Sequence, residues 1–164
     1  MIMADILDHK GTVLPTQHVV VERGPVSNFA TAIADANPVF HDGSAAAEAG
    51  FERMPTPPTY NFVMHTFGAF AELQPPAEGD ANPVTSIIAQ LMGGGGMILH
   101  GEQEFTYHRP VLVGDALVGT GMIKDIYVKQ SGDKTMTFVV SETTWRDPYG
   151  DPVCSSTMTL IHRV

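Results

Sequence analysis

Four long runs of β-forming residues, joined by short turns, occupy the last two-fifths of this chain and restrict it to a small set of architectures. The spacing predicts strands over Ile98–Arg109, Ala116–Gln130, Lys134–Asp147 and Pro152–His162. Pro110 with Gly114-Asp115, Ser131-Gly132-Asp133 and Pro148-Tyr149-Gly150-Asp151 supply the turns between them. Met136, Phe138 and Val140 alternate with Thr135, Thr137 and Val139, the period of a strand with two distinct faces. Connections this short cannot carry a crossover, so the strands must be antiparallel neighbours.

The first half reads differently. Gln17–Glu22 is a short β-branched strand after a lead-in strap over 1–16, and Gly24-Pro25 breaks it. Ser27 is the expected N-cap of a helix from Asn28 to Ala36, which Asn37-Pro38 stops. A second short helix is expected over Ser44–Ala49, with Gly50 as its C-cap. The most apolar segment, Tyr60–Leu73, repeats Tyr60, Val63, Met64, Phe67 and Phe70 at helical spacing; Phe62 widens the face, so burial is expected. One long apolar helix covered by about five antiparallel strands makes an α+β fold in a single domain, 1–164. Residues 74–96 fit that plan least. Pro83–Met92 suits a helix, and Gly93–Gly96 reads either as a flexible lid or oligomer-contact arm, or as a disordered surface loop.

Charge and composition narrow the function. The chain has 9 basic and 18 acidic residues, a net charge of −9, which argues against nucleic acid as the main partner. Arg23, Arg53, Arg109, Lys124 and Lys129 are the candidates for local positive charge, or else dispersed solubilising groups. No apolar run reaches the length of a membrane span. The acidic start, Met1 to Asp5, lacks a signal core, and the single Cys154 suits a reducing compartment, so a cytoplasmic location is expected.

The stretch that carries chemistry is Asp35-Ala36-Asn37-Pro38-Val39-Phe40-His41-Asp42. An acid and an imidazole close together at a turn are the components of acid/base catalysis near neutral pH. The alternative for Asp35 is a local bond to the Asn37-Pro38 turn. His65, in the apolar helix, is expected to be a hydrogen-bonded core residue. His100 and His108 are too far apart for a local metal pair, and His9, His18 and His162 have no partner, so no metal site is expected.

The octapeptide resembles the active-site signature of the MaoC-like hydratases and dehydratases, Asp-x-Asn-Pro-(Ile/Leu)-His. The resemblance continues through Ala45–Phe51, Pro57-Pro58-Thr59-Tyr60, Leu99–Phe105, Tyr107-His108-Arg109-Pro110 and Gly114-Asp115. It is nearest to the fatty-acid-synthase-type dehydratase half-domain and weakest between Glu72 and Ile98. It implies a hotdog fold, a long central helix wrapped by a curved antiparallel sheet, with protomers paired edge to edge. It also implies hydration of trans-2-enoyl thioesters, or dehydration of 3-hydroxyacyl thioesters, a lyase reaction of acyl groups carried on CoA or an acyl-carrier protein without a further cofactor. Asp35 and His41 are the implied catalytic pair; Asn37, Phe40, Pro58, Thr59, Tyr60 and Arg109 are the candidate substrate contacts.

One residue departs from the signature: Phe40 stands where the family has its histidine. If the register is kept, the site is inert and His41 points elsewhere; a local bulge would restore His41. The expected assembly is therefore a homodimer, or a heterodimer with a complete MaoC-like subunit. A non-catalytic acyl-binding subunit and a hotdog thioesterase are the alternatives.

Overall fold

The computed structural model describes residues 6–76 and 82–164. Five strands form one sheet: β1 (Val13–Val20), β2 (Met97–Tyr107), β3 (Ala116–Ser131), β4 (Lys134–Arg146) and β5 (Pro152–Arg163). Their order is β1-β3-β4-β5-β2, and every pairing is antiparallel. The four C-terminal strands fall within two residues of the boundaries expected from the turn signals. The first does not. It begins at Val13, inside the expected strap, and a register shift between Leu14 and Gln17 accommodates Pro15 against β3.

Outside the sheet the described residues include the helices α1 (Arg23–Ala32), α2 (Gly43–Glu48), α3 (Asn61–Gly68) and α4 (Pro83–Gly93). The first starts five residues earlier than expected, because Pro25 falls in its first turn, where no N–H is required. Ser27 is thus inside the helix and not its cap. The helix ends in a Schellman motif: Asp35 N–H donates to the Ala30 carbonyl at 2.9 Å and Ala34 N–H to that of Thr31 at 3.0 Å. Ala34 takes the left-handed position, φ 57°, that glycine normally fills.

The apolar helix is shorter than its periodicity predicts. Gly68 ends it against β1, where a Cβ would lie 2.5 Å from the Val20 carbonyl oxygen, and Ala71–Leu73 form a separate 3-10 turn. Tyr60, Met64 and Gly68 are buried, while Phe62 and Phe67 are 44% and 46% exposed, so α3 buries one face and not its whole circumference. His65 is on the exposed side, which corrects its expected place in the core. The stretch 74–96, expected as a flexible insertion, includes 77–81, outside the described residues. The glycines after α4 form a defined turn: Gly94 caps the helix, and Gly95 and Gly96 take φ of 82° and 89°. The Gly95 carbonyl accepts from His162 Nε2 at 2.7 Å.

The buried side chains form two clusters along the sheet. Val19, Val26, Met64, Leu117, Trp145 and Val153 join α1 and α3 to one end. Ile87 and Leu91 of α4 pack on Ile123, Ile126 and Val139 at the other. Each fully buried aliphatic side chain contributes about 1.5–3 kcal/mol. On β4 the inward face is the odd-numbered one, Thr137, Val139, Ser141 and Trp145. Phe138 is on the other face, stacked on Tyr127 at 4.7 Å beneath the Lys129 ammonium.

Candidate functional site

The Asp35–Asp42 stretch folds as two consecutive capped turns. Asn37 caps the 3-10 turn Pro38–Phe40, its Oδ1 accepting from Val39 N–H at 3.2 Å. Asp42 caps α2 by accepting from Ser44 N–H at 2.7 Å. Helix α1 holds this unit from one side. Ser27 Oγ donates to the Phe40 carbonyl at 3.0 Å, and Arg23 to the His41 carbonyl at 3.2 Å.

Within this frame Asp35 and His41 meet, though not carboxylate to imidazole. Asp35 Oδ1 accepts from Asn37 N–H at 3.0 Å, the local turn bond that was the alternative role for this residue. His41 Nε2 lies 2.8 Å from the Asp35 backbone carbonyl oxygen. A carbonyl only accepts, so Nε2 carries the proton and a neutral His41 keeps its lone pair on Nδ1.

Phe40 is turned into the protein, 8% exposed, on the wall of a cleft of about 670 Å³. Asn37 and Val39 share that wall, Ala49 and Phe51 follow from the end of α2, and Pro55, Thr56 and Pro58 from the approach to α3. The stretch Tyr107–Val111 closes the far side. This volume is within the range of small-molecule sites, and the lining is mostly apolar. Of the candidate residues, Asn37, Phe40, Pro58 and Arg109 line the cleft; Asp35, His41, Thr59 and Tyr60 do not. Tyr60 has no exposed surface and packs edge-on against Phe29 at 5.6 Å; burial, with Glu22 nearby, pushes its hydroxyl up to about 12. The amides at the start of α3 are partly used: Tyr60 N–H donates to Pro57 and Phe62 N–H to Thr59.

Two arginines converge on one buried carboxylate at the edge of the cleft. The buried Asp115 carboxylate accepts from Arg109 at 2.7 Å, Arg53 at 2.9 Å and Leu112 N–H at 3.0 Å. Burial works against the Arg53 charge, but its bonds to Asp115 and Glu52 outweigh it and hold its pKa above the usual value. The other cations lie apart: Lys124 pairs with Glu142, and Lys129 sits over its aromatic pair. Two participants were missed in the sequence. Tyr107 donates its hydroxyl to the Pro58 carbonyl, joining β2 to the segment before α3, and Asn61 donates to Cys154 Sγ at 3.0 Å. Both depend on contacts across about fifty residues or more, which no local pattern signals. Among the described residues, no three His, Cys, Asp or Glu side chains are placed to hold a metal ion.

The family model for the FAS1-like dehydratase domain region matches residues 8–156. The chain belongs to that family. A UPF0336 protein of Saccharopolyspora erythraea is 31% identical over 149 residues, spanning 91% of this chain and 85% of the relative. Among solved structures, the ChsH1-ChsH2 complex from Mycobacterium tuberculosis superposes with a TM-score of 0.74 at 21% identity, covering 98% of this chain and 88% of that one. The truncated HadBC (3R-hydroxyacyl-ACP dehydratase) complex from the same organism gives 0.68 at 20% identity, covering 94% and 97%. The fold is the hotdog fold of the MaoC-like dehydratases, as the sequence resemblance implied. No helix of the described residues is long and apolar enough to cross a membrane.

Proposed function

We propose that this chain is a subunit of a hydratase/dehydratase acting on trans-2-enoyl or 3-hydroxyacyl thioesters. In this reading it supplies the acyl-binding cleft, and a complete MaoC-like partner supplies the acid/base pair. The observation that carries the reading is the arrangement of the motif turn. Phe40 is on the cleft wall, while the His41 ring faces the Asp35 carbonyl and both residues are off the cleft.

The chemistry explains why this matters. Hydration places a water oxygen on the β-carbon and a proton on the α-carbon, so a base and an acid must stand beside the thioester. Phenylalanine transfers no proton, but it does favour an apolar chain. Val39, Phe40 and Phe51 would exclude water from the acyl group, and Arg109 would meet anionic charge on its carrier, CoA or acyl-carrier protein. Support for a two-subunit assembly comes from the neighbours, two of which are described as complexes of two different chains.

The test is hydration of short and long trans-2-enoyl-CoA, followed by ultraviolet absorbance, with the purified chain alone and mixed with a complete MaoC-like subunit. The expected result is no turnover alone and turnover in the mixture above that of the partner by itself. Turnover by the isolated chain that Asp35→Asn abolishes would return catalysis to Asp35 and His41. Release of free thiol from acyl-CoA would replace the reading with a thioesterase.

A further inference from the structure

The inner face of the sheet is not uniformly apolar. The register lays side chains across it in rows. One row is Gly119–Trp145–Cys154–Tyr107, and another, further along, is Ile126–Val139–Leu160. These rows belong to the two apolar clusters. Between them run Gly121–Thr143–Ser156–Phe105 and Ile123–Ser141–Met158–Gln103, so four polar side chains are set among apolar ones in the middle of the interior.

These rows floor a chamber of about 260 Å³, covered by Asn61 of α3 and the start of α4, with the exposed Phe62 and His65 at its rim. Gly121 keeps it open on β3, where a Cβ would meet the Glu142 carbonyl oxygen at 2.4 Å and Thr143 Oγ1 at 2.8 Å. Among the described residues, two buried side-chain polar atoms lack a hydrogen-bond partner, Asn61 Oδ1 and Gln103 Oε1. Both residues line this chamber. Asn61 is 5% exposed, and its amide nitrogen is engaged by Cys154, which leaves the oxygen as the free end.

The chamber therefore asks for a particular chemistry. Both orphans are acceptors, so the occupant must donate hydrogen bonds. His65 is the one titratable side chain on the lining, and burial lowers its pKa, so its neutral imidazole gives an ionic group no counter-charge. An alkyl chain would leave both oxygens unpaired, at about 1–3 kcal/mol each. The space admits several waters, or a group of similar bulk. Asn61 stands beside Tyr107, a residue of the acyl cleft, so the chamber and the cleft are neighbours across these two side chains.

We propose that this chamber receives an uncharged, hydroxyl-bearing group at the remote end of the acyl chain, so that the subunit selects hydroxylated acyl thioesters over plain alkyl ones. The assignment to an acyl chain rests on the thioester reading above; the chamber's preference for a neutral hydroxyl donor does not.

Calorimetric titration of the full chain with hexanoyl-CoA and 6-hydroxyhexanoyl-CoA, and with the matched ten-carbon pair, tests it. At one or both lengths the hydroxylated member is expected to bind about fivefold tighter, the worth of one neutral hydrogen bond. Gln103→Leu, on an edge strand, and Asn61→Leu should each reduce that preference, and Gln103→Leu suffices if Asn61→Leu does not fold. Equal affinity within both pairs, or a preference that survives the folded variants, would overturn the chamber while leaving thioester binding intact. If no acyl-CoA binds, 1,6-hexanediol as a probe separates the two ideas. Shifts of the Asn61 and Gln103 side-chain amide resonances would keep the chamber and remove the thioester assignment, and no shifts would remove both.

Discussion

His41 Nε2 sits 2.8 Å from the backbone carbonyl oxygen of Asp35, while the Asp35 carboxylate is bonded to Asn37 N–H. The two residues that the resemblance pairs are in contact, but through a bond to the Asp35 backbone carbonyl and not carboxylate to imidazole. His41→Ala should therefore cost about 1 kcal/mol of stability, the net worth of one such hydrogen bond. Turnover supported by a complete partner should change less than about twofold, by the same logic that assigns His41 a structural bond. Urea denaturation and the absorbance assay measure the two effects. A large loss of turnover in a folded His41→Ala complex would place the imidazole in the mechanism.

Ala34 occupies a left-handed position that costs an L-residue about 1–2 kcal/mol. Ala34→Gly should relieve most of it, offset by the greater freedom glycine has in the unfolded chain. The expected gain is about 1 kcal/mol, or about 3 °C in Tm. Thermal unfolding followed by circular dichroism decides it; a lower Tm would mean that the Schellman turn is not strained.

The glycine run after α4 acts as a turn, and its members should differ. Gly96 has φ 89°, and a Cβ there would lie 2.4 Å from the Arg163 carbonyl oxygen. Gly94 has φ −86°, and a Cβ there would lie 3.4 Å from the Leu91 carbonyl oxygen, an ordinary contact. Gly96→Ala should destabilise by about 2 kcal/mol or more, and Gly94→Ala by less than about 0.5 kcal/mol. Equal, small effects in denaturant titrations would restore the flexible lid.

Alkaline pH should weaken the fold. Burial pushes the Cys154 thiol up to about 12 from 9.0, against a smaller downward pull from Arg109; Tyr60 rises to about 12 from 10.0. Both groups stay neutral when folded and ionise earlier when unfolded, so stability is full below pH 9 and falls as pH rises toward 12. The Cys154 part amounts to about 1 kcal/mol at pH 10. Urea midpoints at pH 8 and pH 10 should converge in Cys154→Ala relative to the native chain, and an unchanged pH slope would show that Cys154 contributes nothing.

The legible parts of this molecule were those that local rules govern. Turn residues such as Ser131-Gly132-Asp133 bracket the strands, and Asn37 and Asp42 cap the turns they precede. The misjudged parts involve neighbours distant in sequence. Nothing near Gly68 indicates that β1 will run against it and end α3, and the alternation in β4 does not say which face turns inward. His65 stands at helical spacing with core residues, yet the helix rolls it outward.

Local sequence was enough for the boundaries of the four C-terminal strands, the antiparallel α+β plan and the motif turn, because each depends on backbone preferences within a few residues. Only the tertiary structure decided that Phe40 enters the cleft while His41 faces a carbonyl, and that polar side chains, two of them with unpaired amide oxygens, are set among apolar ones in the interior. Those outcomes follow from strand register and helix roll, which long-range packing sets and local sequence does not encode.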